Sequence, residues 1–217
     1  MTQPVELQTA DAALAACIPA GTRLVAPAVQ PPPGVLDPAA LAGDAFALLL
    51  VEGVVQSDVS FGGRTVTETL VPGDLLLPAR PRSDGLDSHR VVSADDWCTL
   101  ARLDAHFLLA AARFPALMRE LYRRLSDQEH RIAVNGAIGQ LPRTDDRIVA
   151  SLRQLAYRLG VEEEEGTVLH LPMTHATIGR MVGASRPTVS LALTRLAEDG
   201  CLRRRPDGAW LLAHSAQ

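Results

Sequence analysis

Cysteine, lysine, aromatic residues and long apolar runs are all scarce in this chain of 217 residues. Its three cysteines lie far apart, which argues against a disulfide framework and against a four-thiolate iron–sulfur site, and favours a reducing cytoplasm. The longest apolar run, Ala45 to Val51, is far shorter than the roughly 18 residues that cross a membrane. No basic stretch precedes an apolar one at the N-terminus, so no secretory signal is expected. The composition therefore predicts a cytoplasmic protein of one or two domains without membrane association.

Lysine is absent, and all 21 basic residues are arginine. The net charge of −4 is unevenly distributed along the chain. Residues 1–142 hold 11 arginines against 16 acidic residues, whereas residues 167–217 hold 6 arginines against 3 acidic residues. A basic C-terminal end on an acidic body suits a polyanionic partner that binds at that end only.

The N-terminal part, residues 1–103, is predicted to form a β-rich domain behind a short Ala-rich helix over residues 1–20. Short β-type segments alternate with turn signals such as Phe61-Gly62-Gly63-Arg64 and Pro72-Gly73-Asp74. Segments that recur at roughly 8–12 residues are typical of an all-β sandwich or barrel.

An enzyme is not predicted from this sequence. A β-barrel metalloenzyme needs clustered histidines and carboxylates, but residues 22–103 contain one histidine, His89. The chain also lacks a serine nucleophile elbow, a P-loop and a dinucleotide-binding glycine motif. We therefore assign no catalytic residue, no metal ligand and no cofactor.

A long helical stretch follows over residues 104–142, with a kink expected at Pro115. Leu117 and Tyr122 form an apolar line that we expect to face the chain's own body. A second line has the alternating three- and four-residue steps of a coiled-coil seam, broken by two polar residues, which favours a homodimer. Packing of the whole helix on its own domain is the alternative. The proposed dimerisation residues are Met118, Leu121, Leu125, Gln128, Ile132 and Asn135.

Leu141-Pro142-Arg143 interrupts the helical pattern, so we place the last domain at residues 143–217. Thr144 or Asp145 is expected to cap a helix over Asp146–Leu159, and Glu162–Glu165 is interpreted as a solvated loop.

The segment Thr174 to Leu196 has the pattern of a helix-turn-helix. Thr174 and Ser185 are suited to cap the two helices. Gly179 is small where the second helix crosses the first, and Gly183 permits the positive φ that the turn needs.

Exposed positions of the second helix are suited to DNA. Arg186, near the N-terminus of that helix, can reach guanine O6 and N7 in the major groove, and short hydroxyl donors suit phosphates. Pro206-Asp207-Gly208 is expected to join two short strands into a hairpin wing that presents further arginines. A hairpin of helices with merely solvated arginines is the alternative. The residues that we predict to contact DNA are Thr174, His175, Ser185, Arg186, Thr188, Ser190, Leu191, Arg195, Arg203 and Arg205.

This order of elements resembles the Crp/Fnr family of bacterial transcription regulators over essentially the whole chain. The match is most specific in Thr174–Leu196, with weaker marks at Val51-Glu52-Gly53 and Pro72-Gly73-Asp74. The resemblance implies an α+β chain with an N-terminal β-roll (a jelly roll, cyclic-nucleotide-binding-like), a long dimerisation helix and a C-terminal winged helix-turn-helix. It also implies a homodimer that binds double-stranded DNA at a two-fold-symmetric operator. RNA polymerase and an unknown small-molecule effector remain open as further partners.

The pattern of the family's cyclic-AMP site is not retained. Members that bind cyclic AMP have a Gly-Glu pair that holds the ribose, where this chain has Leu77-Pro78. They also have an Arg-Ser/Thr pair that holds the phosphate, where this chain has Ser88-His89. We therefore predict no response to cyclic AMP. An anion site at Arg80, Arg82 or Arg90 and haem ligation by lone histidines are weaker alternatives, as is a β-roll module whose helix pair binds another protein.

Overall fold

The computed structural model describes residues 4–78, 88–94, 96–171 and 173–214. The chain forms two compact units. The first holds the chain up to Gly62 together with Glu68–Ile132, and the second holds Gly63–Thr67 together with the chain from Ala133 onward. The long helix contributes to both units, so the domain division expected from the sequence remains a prediction.

The first unit is a two-sheet β-roll. One sheet has the strand order β1-β2-β9-β4-β7, and the other has the order β3-β8-β5-β6. All pairings given for these strands are antiparallel. The strands are β1 (Pro4–Glu6), β2 (Val25–Val29), β3 (Gly34–Leu36), β4 (Ala47–Glu52), β5 (Val55–Phe61), β6 (Arg64–Leu70), β7 (Leu75–Leu76), β8 (His89–Ala94) and β9 (Thr99–Leu103).

Strand β4 is buried on both faces, which explains the longest apolar run of the sequence. Leu48 and Leu50 lie in the core that contains residues of both sheets. Ala47 and Leu49 point to the opposite side, into a second core made with helices of the same unit. Because successive side chains of a strand alternate between its faces, a strand with two covered faces needs consecutive apolar residues.

In the part of the chain that the structure describes, five helices accompany the β-roll. The expected helix over residues 1–20 is replaced by strand β1 and two short helices, because residues 4–6 pair with β2 at the edge of the first sheet. The kink expected at Pro115 is a complete break, since one helix ends at Ala111 and Pro115 begins the next at a position where its missing N–H costs nothing. The helices are α1 (Leu7–Ala10), α2 (Ala12–Ala15), α3 (Pro38–Ala42), α4 (Ala105–Ala111) and α5 (Pro115–Ile138).

The residues proposed for the dimer seam on α5 differ in their exposure: some are buried in the first unit and others are exposed. Leu121 and Gln128 are buried within the first unit, and Leu125 packs against the same core. Leu121 and Gln128 are covered by their own chain, which corrects the expectation that they face a partner, whereas Leu125 is only half-buried. Asn135 is half-buried.

The outer face of α5 has different apolar residues. Met118 and Ile132 remain exposed, as the dimer assignment requires. Leu117 is fully buried as expected, but the placement of Tyr122 against the body is wrong, since Tyr122 is 74% exposed. Tyr122 is one helical turn from Met118 and therefore lies on the same outer face.

The described residues of the second unit form three helices and a four-stranded sheet of order β10-β11-β13-β12. The expected wing is present, as β12 and β13 pair antiparallel across the turn at residues 206–208. The acidic segment is more ordered than the expected solvated loop, because Val161–Glu163 forms a strand paired with the next one. The elements are α6 (Thr144–Leu159), β10 (Val161–Glu163), β11 (Gly166–Leu169), α7 (His175–Val182), α8 (Arg186–Glu198), β12 (Leu202–Arg204) and β13 (Trp210–Ala213).

Candidate nucleic-acid interface

Helices α7 and α8 form the helix-turn-helix that the sequence predicts. The Thr174 hydroxyl accepts a hydrogen bond from the Thr177 N–H at 3.1 Å and so caps α7. Gly183 ends the helix with φ of 62°, a left-handed conformation that glycine adopts without strain. A Cβ on Gly179 would lie 2.7 Å from the Ala184 carbonyl oxygen. This close approach explains why a glycine is needed there.

The cap of α8 uses hydroxyl groups that we expected at phosphates. The Ser185 hydroxyl accepts a bond from the Thr188 N–H at 3.4 Å, and the two hydroxyl groups lie 2.8 Å apart. Val189 and Ala192 of the same helix are fully buried. These contacts fix the start of α8 and leave the hydroxyl groups exposed.

The outer side of α8 presents one arginine, one hydroxyl and one apolar side chain. Arg186 and Thr188 are exposed, and Leu191 is 61% exposed. Within the described part of the chain, the exposed side chain of Arg186 makes no hydrogen bond or ion pair, so its guanidinium is available to a ligand. This combination of donors and an apolar surface suits the edges of base pairs in the major groove.

Arg195 is directed towards the chain's own helix α6. Its Nε lies 2.9 Å from Asp145 Oδ2, and its Nη2 lies 2.5 Å from Asp145 Oδ1. The hydrogen bond from Arg195 lowers the pKa of Asp145 below its usual range. The expected cap of α6 by Thr144 or Asp145 is wrong, since Arg143 occupies the N-cap position without a side-chain bond. Asp145 serves as the partner of Arg195 instead.

The wing arginines are also paired with carboxylates. Arg205 donates to both oxygens of Glu163, at 3.1 and 2.5 Å, and this contact lowers the pKa of Glu163. Arg203 forms an ion pair with Glu165. Arg204 lies over the Trp210 ring, 5.3 Å from its centroid, in a cation–π contact. The sequence contains a signal for these pairs, a run of four glutamates and a run of three arginines, but not their spatial proximity.

Two further contacts position the helix pair. His175 Nδ1 and Ser190 Oγ are 2.8 Å apart, so two residues that we predicted to contact DNA bind each other across α7 and α8. Arg147 of α6 donates to the Val182 carbonyl at 2.9 Å and to the Leu141 carbonyl at 2.6 Å. Sequence reasoning missed Arg147, because nothing local distinguishes a half-buried arginine that binds backbone carbonyls from an exposed one.

The β-roll contains a separate group of polar side chains between β6, β7 and α5. Asp74 accepts hydrogen bonds from the Val71 N–H at 3.0 Å and from Arg131 at 2.6 Å. Gln128 accepts a bond from the Leu75 N–H at 3.4 Å and also bonds to Glu68. Glu68 is 7% exposed, and burial raises its pKa to about 7, with the Asp74 carboxylate adding to the rise.

The positions expected for a cyclic nucleotide hold no counter-charge. Leu77, Ser88 and His89 are exposed, and Pro78 is half-buried. Arg90 donates to Ser57 Oγ at 2.8 Å and to the Leu77 carbonyl at 3.1 Å, so it forms hydrogen bonds within the β-roll. Arg80 and Arg82 lie outside the described residues.

Among the described residues, no three His, Cys, Asp or Glu side chains are grouped to hold a metal ion. In that same part of the chain, no helix is long and apolar enough to cross a membrane.

Comparisons with known proteins agree with this architecture. Residues 146–214 match the family model of the Crp-like helix-turn-helix domain. No curated protein matches the sequence.

The fold resembles several solved structures over most of the chain. A protein from Listeria monocytogenes that contains a cyclic nucleotide-binding domain is 18% identical, with a TM-score of 0.66, covering 85% of this chain and 88% of that one. A mutant of CooA from Carboxydothermus hydrogenoformans is 20% identical, with a TM-score of 0.64, covering 85% and 82%. A regulator of the CRP/FNR family from Thermus thermophilus is 22% identical, with a TM-score of 0.55, covering 86% and 93%. The predicted fold class, a cyclic-nucleotide-binding-like β-roll followed by a Crp-type helix-turn-helix, is thereby confirmed.

Proposed function

We propose that this chain regulates transcription as a homodimer on a two-fold-symmetric operator, because it joins a Crp-like helix-turn-helix domain to the fold of the Crp/Fnr transcription regulators. The observation that carries the proposal is the exposed side of α8, where Arg186 lies without a partner among the described residues. Double-stranded DNA is the partner, and RNA polymerase and a small-molecule effector are the further partners to test. The protein acts in the cytoplasm and catalyses no reaction.

Each subunit places the N-terminal half of α8 in a major groove. Arg186 reads a guanine through O6 and N7, and Leu191 packs on a thymine methyl group. Thr174, Ser185 and Thr188 supply hydroxyl groups for phosphates near the starts of the two helices. Two half-sites then lie about 34 Å apart, one helical turn of DNA.

The wing arginines, Arg203 and Arg205, approach phosphates by exchanging their carboxylate partners. Both partner glutamates are exposed, and exposed ion pairs contribute only about 0–1 kcal/mol. A phosphate with its full charge competes well with such a pair. The exchange costs little for this reason.

The homodimer forms along the outer face of α5. Met118, Tyr122 and Ile132 are exposed large apolar residues on this helix, and the first two are one turn apart. Pairing of two such helices covers these side chains in a seam of the coiled-coil type. Met118 and Ile132 keep the role that the sequence predicts, and Tyr122 joins them.

We further propose that cyclic AMP is not the effector. The exposed Leu77, Ser88 and His89 offer neither a carboxylate for the ribose hydroxyl nor an arginine for the cyclic phosphate. A buried phosphate without a counter-charge is strongly disfavoured. Titration calorimetry with cyclic AMP is expected to give no heat of binding.

The function is tested by selecting duplexes from a random library with the full-length protein, followed by fluorescence anisotropy at several salt concentrations. Specific affinity should fall steeply with salt as counterions are released. Arg186→Ala should cost about 1–3 kcal/mol and relax the preference at one base pair per half-site. Arg113→Ala, which removes the same charge from an exposed residue between α4 and α5, is the matched control and should leave affinity unchanged. Recovery of no preferred sequence would favour a β-roll module whose helix pair binds a protein.

A further inference from the structure

Arg195 and Asp145 form a two-bond contact that joins the recognition helix α8 to α6. Both contacts, 2.9 Å from Nε and 2.5 Å from Nη2, reach separate oxygens of the same carboxylate. The planar guanidinium fork matches a carboxylate in this geometry and fixes the orientation of both groups. The ends that it joins are the first turn of α6 and the last turn of α8.

Arg195 lies in the last turn of α8, whereas the residues that we propose for base reading lie in the N-terminal half of that helix. It follows Arg186 by nine residues, which at about 100° per residue places it roughly on the opposite flank. On the other flank, Ser190 bonds to His175 of α7. The exposed Leu191 lies between these two contacts. Helix α8 is therefore held by one polar contact on each side.

The low exposure of Asp145 favours keeping its pair with Arg195. Asp145 is 7% exposed, and the only other arginine paired with it among the described residues is Arg143, at 3.8 Å with a side chain that is 72% exposed. If Arg195 moved to a DNA phosphate, the buried carboxylate would lose its two short hydrogen bonds. The Arg195 side chain is itself 43% exposed, so the loss is smaller than for a fully buried pair, but Asp145 would give up both of its bonds to Arg195.

The wing arginines differ from Arg195 in this respect. The carboxylates of Glu163 and Glu165 are exposed and are rehydrated when their arginines leave. Arg195 therefore leaves a less exposed carboxylate than the wing arginines do when it changes partner.

We propose that Arg195 is a positioning residue, which through Asp145 holds α8 at the angle needed to enter the major groove and does not itself contact DNA. The proposal rests on the proposed function, and it removes Arg195 from the set of residues that touch DNA. It also gives Asp145, an acidic residue at a DNA-binding domain, a favourable role in DNA binding.

The test measures the affinity of the full-length protein for its selected operator by anisotropy, as a function of salt. Asp145→Asn and Arg195→Met should each weaken binding, by roughly tenfold, and the double variant should lose little more, because the two residues act as one unit. The salt slope should stay at the wild-type value in all three variants, since no phosphate contact is lost. The charge exchange Asp145→Arg with Arg195→Asp should restore much of the affinity.

A direct contact between Arg195 and DNA predicts a different set of results. If Arg195 contacts a phosphate, Arg195→Met reduces the salt slope by about 0.9. In that case Asp145→Asn keeps or increases the affinity, because a competing carboxylate is gone. Either finding overturns the proposal.

A control separates positioning from loss of stability. Ile148→Val shortens a fully buried side chain of α6 and lowers stability by a small amount. It should leave operator affinity and salt slope unchanged. Failure of the wild-type protein to select any duplex would refute the proposed function itself, whereas wild-type binding that Asp145→Asn does not weaken refutes the role of Arg195 alone.

Discussion

Glu68 makes the stability of the β-roll depend on pH, and Glu68→Gln is the substitution that reveals it. Its carboxyl group is buried, and one of its oxygens, Oε1, has no hydrogen-bond partner among the described residues. Burial raises the pKa from 4.5 to about 7, with the nearby Asp74 carboxylate adding to the rise. Gln128, Arg131 and Arg90 act in the opposite direction without cancelling it.

The sign follows from comparing the two states of the chain. Below pH 4.5 the carboxyl is protonated in the folded and the unfolded chain, and Glu68 carries no penalty. As the pH rises, the unfolded chain loses this proton first, so stability falls until the folded carboxyl ionises near pH 7. A shift of about 2.5 units at 1.36 kcal/mol per unit corresponds to about 3 kcal/mol. Above this range the penalty is constant.

Glu68→Gln keeps the shape of the side chain and removes the titration. The free energy of unfolding of the variant, relative to the wild type, should therefore rise by about 3 kcal/mol between pH 4.5 and 8. The measurement is urea unfolding by circular dichroism across this range. Hydrogen exchange of β4 amides assigns the transition to the first unit. Glu129→Gln removes an exposed carboxylate from α5 and is the matched control, with a difference that should not vary with pH.

The free energies of unfolding of Glu68→Gln and the wild type are compared between pH 4.5 and 8. If their difference changes by less than about 0.5 kcal/mol, burial of Glu68 does not make stability depend on pH. It would mean that Arg131 and Arg90 compensate the buried charge in full. A difference of opposite sign would mean that the ionised carboxylate stabilises the fold. The lowered pKa values of Asp11, Glu120 and Asp145 do not interfere, since their contributions are lost only as the pH falls below the ordinary pKa values of 3.8 for the two aspartates and 4.5 for Glu120.

Three further substitutions test the fold and the proposed dimer. Arg124→Met should cost about 3 kcal/mol in urea unfolding, because it leaves the carboxylate of Asp11 without the guanidinium that binds both its oxygens; a loss below 1 kcal/mol would show that the pair contributes little. Gly179→Val should cost about 1–3 kcal/mol and abolish operator binding, since a Cβ would lie 2.7 Å from the Ala184 carbonyl; a variant that still binds would show that the helix-turn-helix adapts. Tyr122→Glu should dissociate the dimer in sedimentation equilibrium without changing the thermal stability of the subunit, and an unaltered dimer would place the interface elsewhere.

Local features of the helix-turn-helix were predictable from the sequence. The caps at Thr174 and Ser185 and the left-handed Gly183 were all expected and are all present. Each depends on residues within a few positions along the chain, where side-chain and backbone chemistry leave few alternatives. The wing turn at residues 206–208 was predictable for the same reason.

Which side chains of α5 are buried by the chain's own β-roll and which are exposed was only partly predictable from the sequence. A heptad pattern identifies apolar positions but not whether a partner subunit or the chain's own β-roll covers them. The fold buries Leu121 and Gln128 and exposes Tyr122, although the sequence indicated the reverse for each. The pairing of Glu68 with Gln128 was unpredictable as well, because the two residues lie 60 positions apart in the sequence.

The sequence by itself therefore determined the order of the elements, the helix-turn-helix and the basic character of the C-terminal end, since these follow from local propensity, periodicity and charge. Only the tertiary structure decided which arginine of that end is available. Arg186 has no partner among the described residues, whereas Arg195 is held by Asp145, 50 positions earlier in the chain. The physical reason is that a charged side chain is available to a ligand only if folding brings no oppositely charged partner to it. The distance between two such groups depends on the tertiary structure and cannot be read from their order in the sequence.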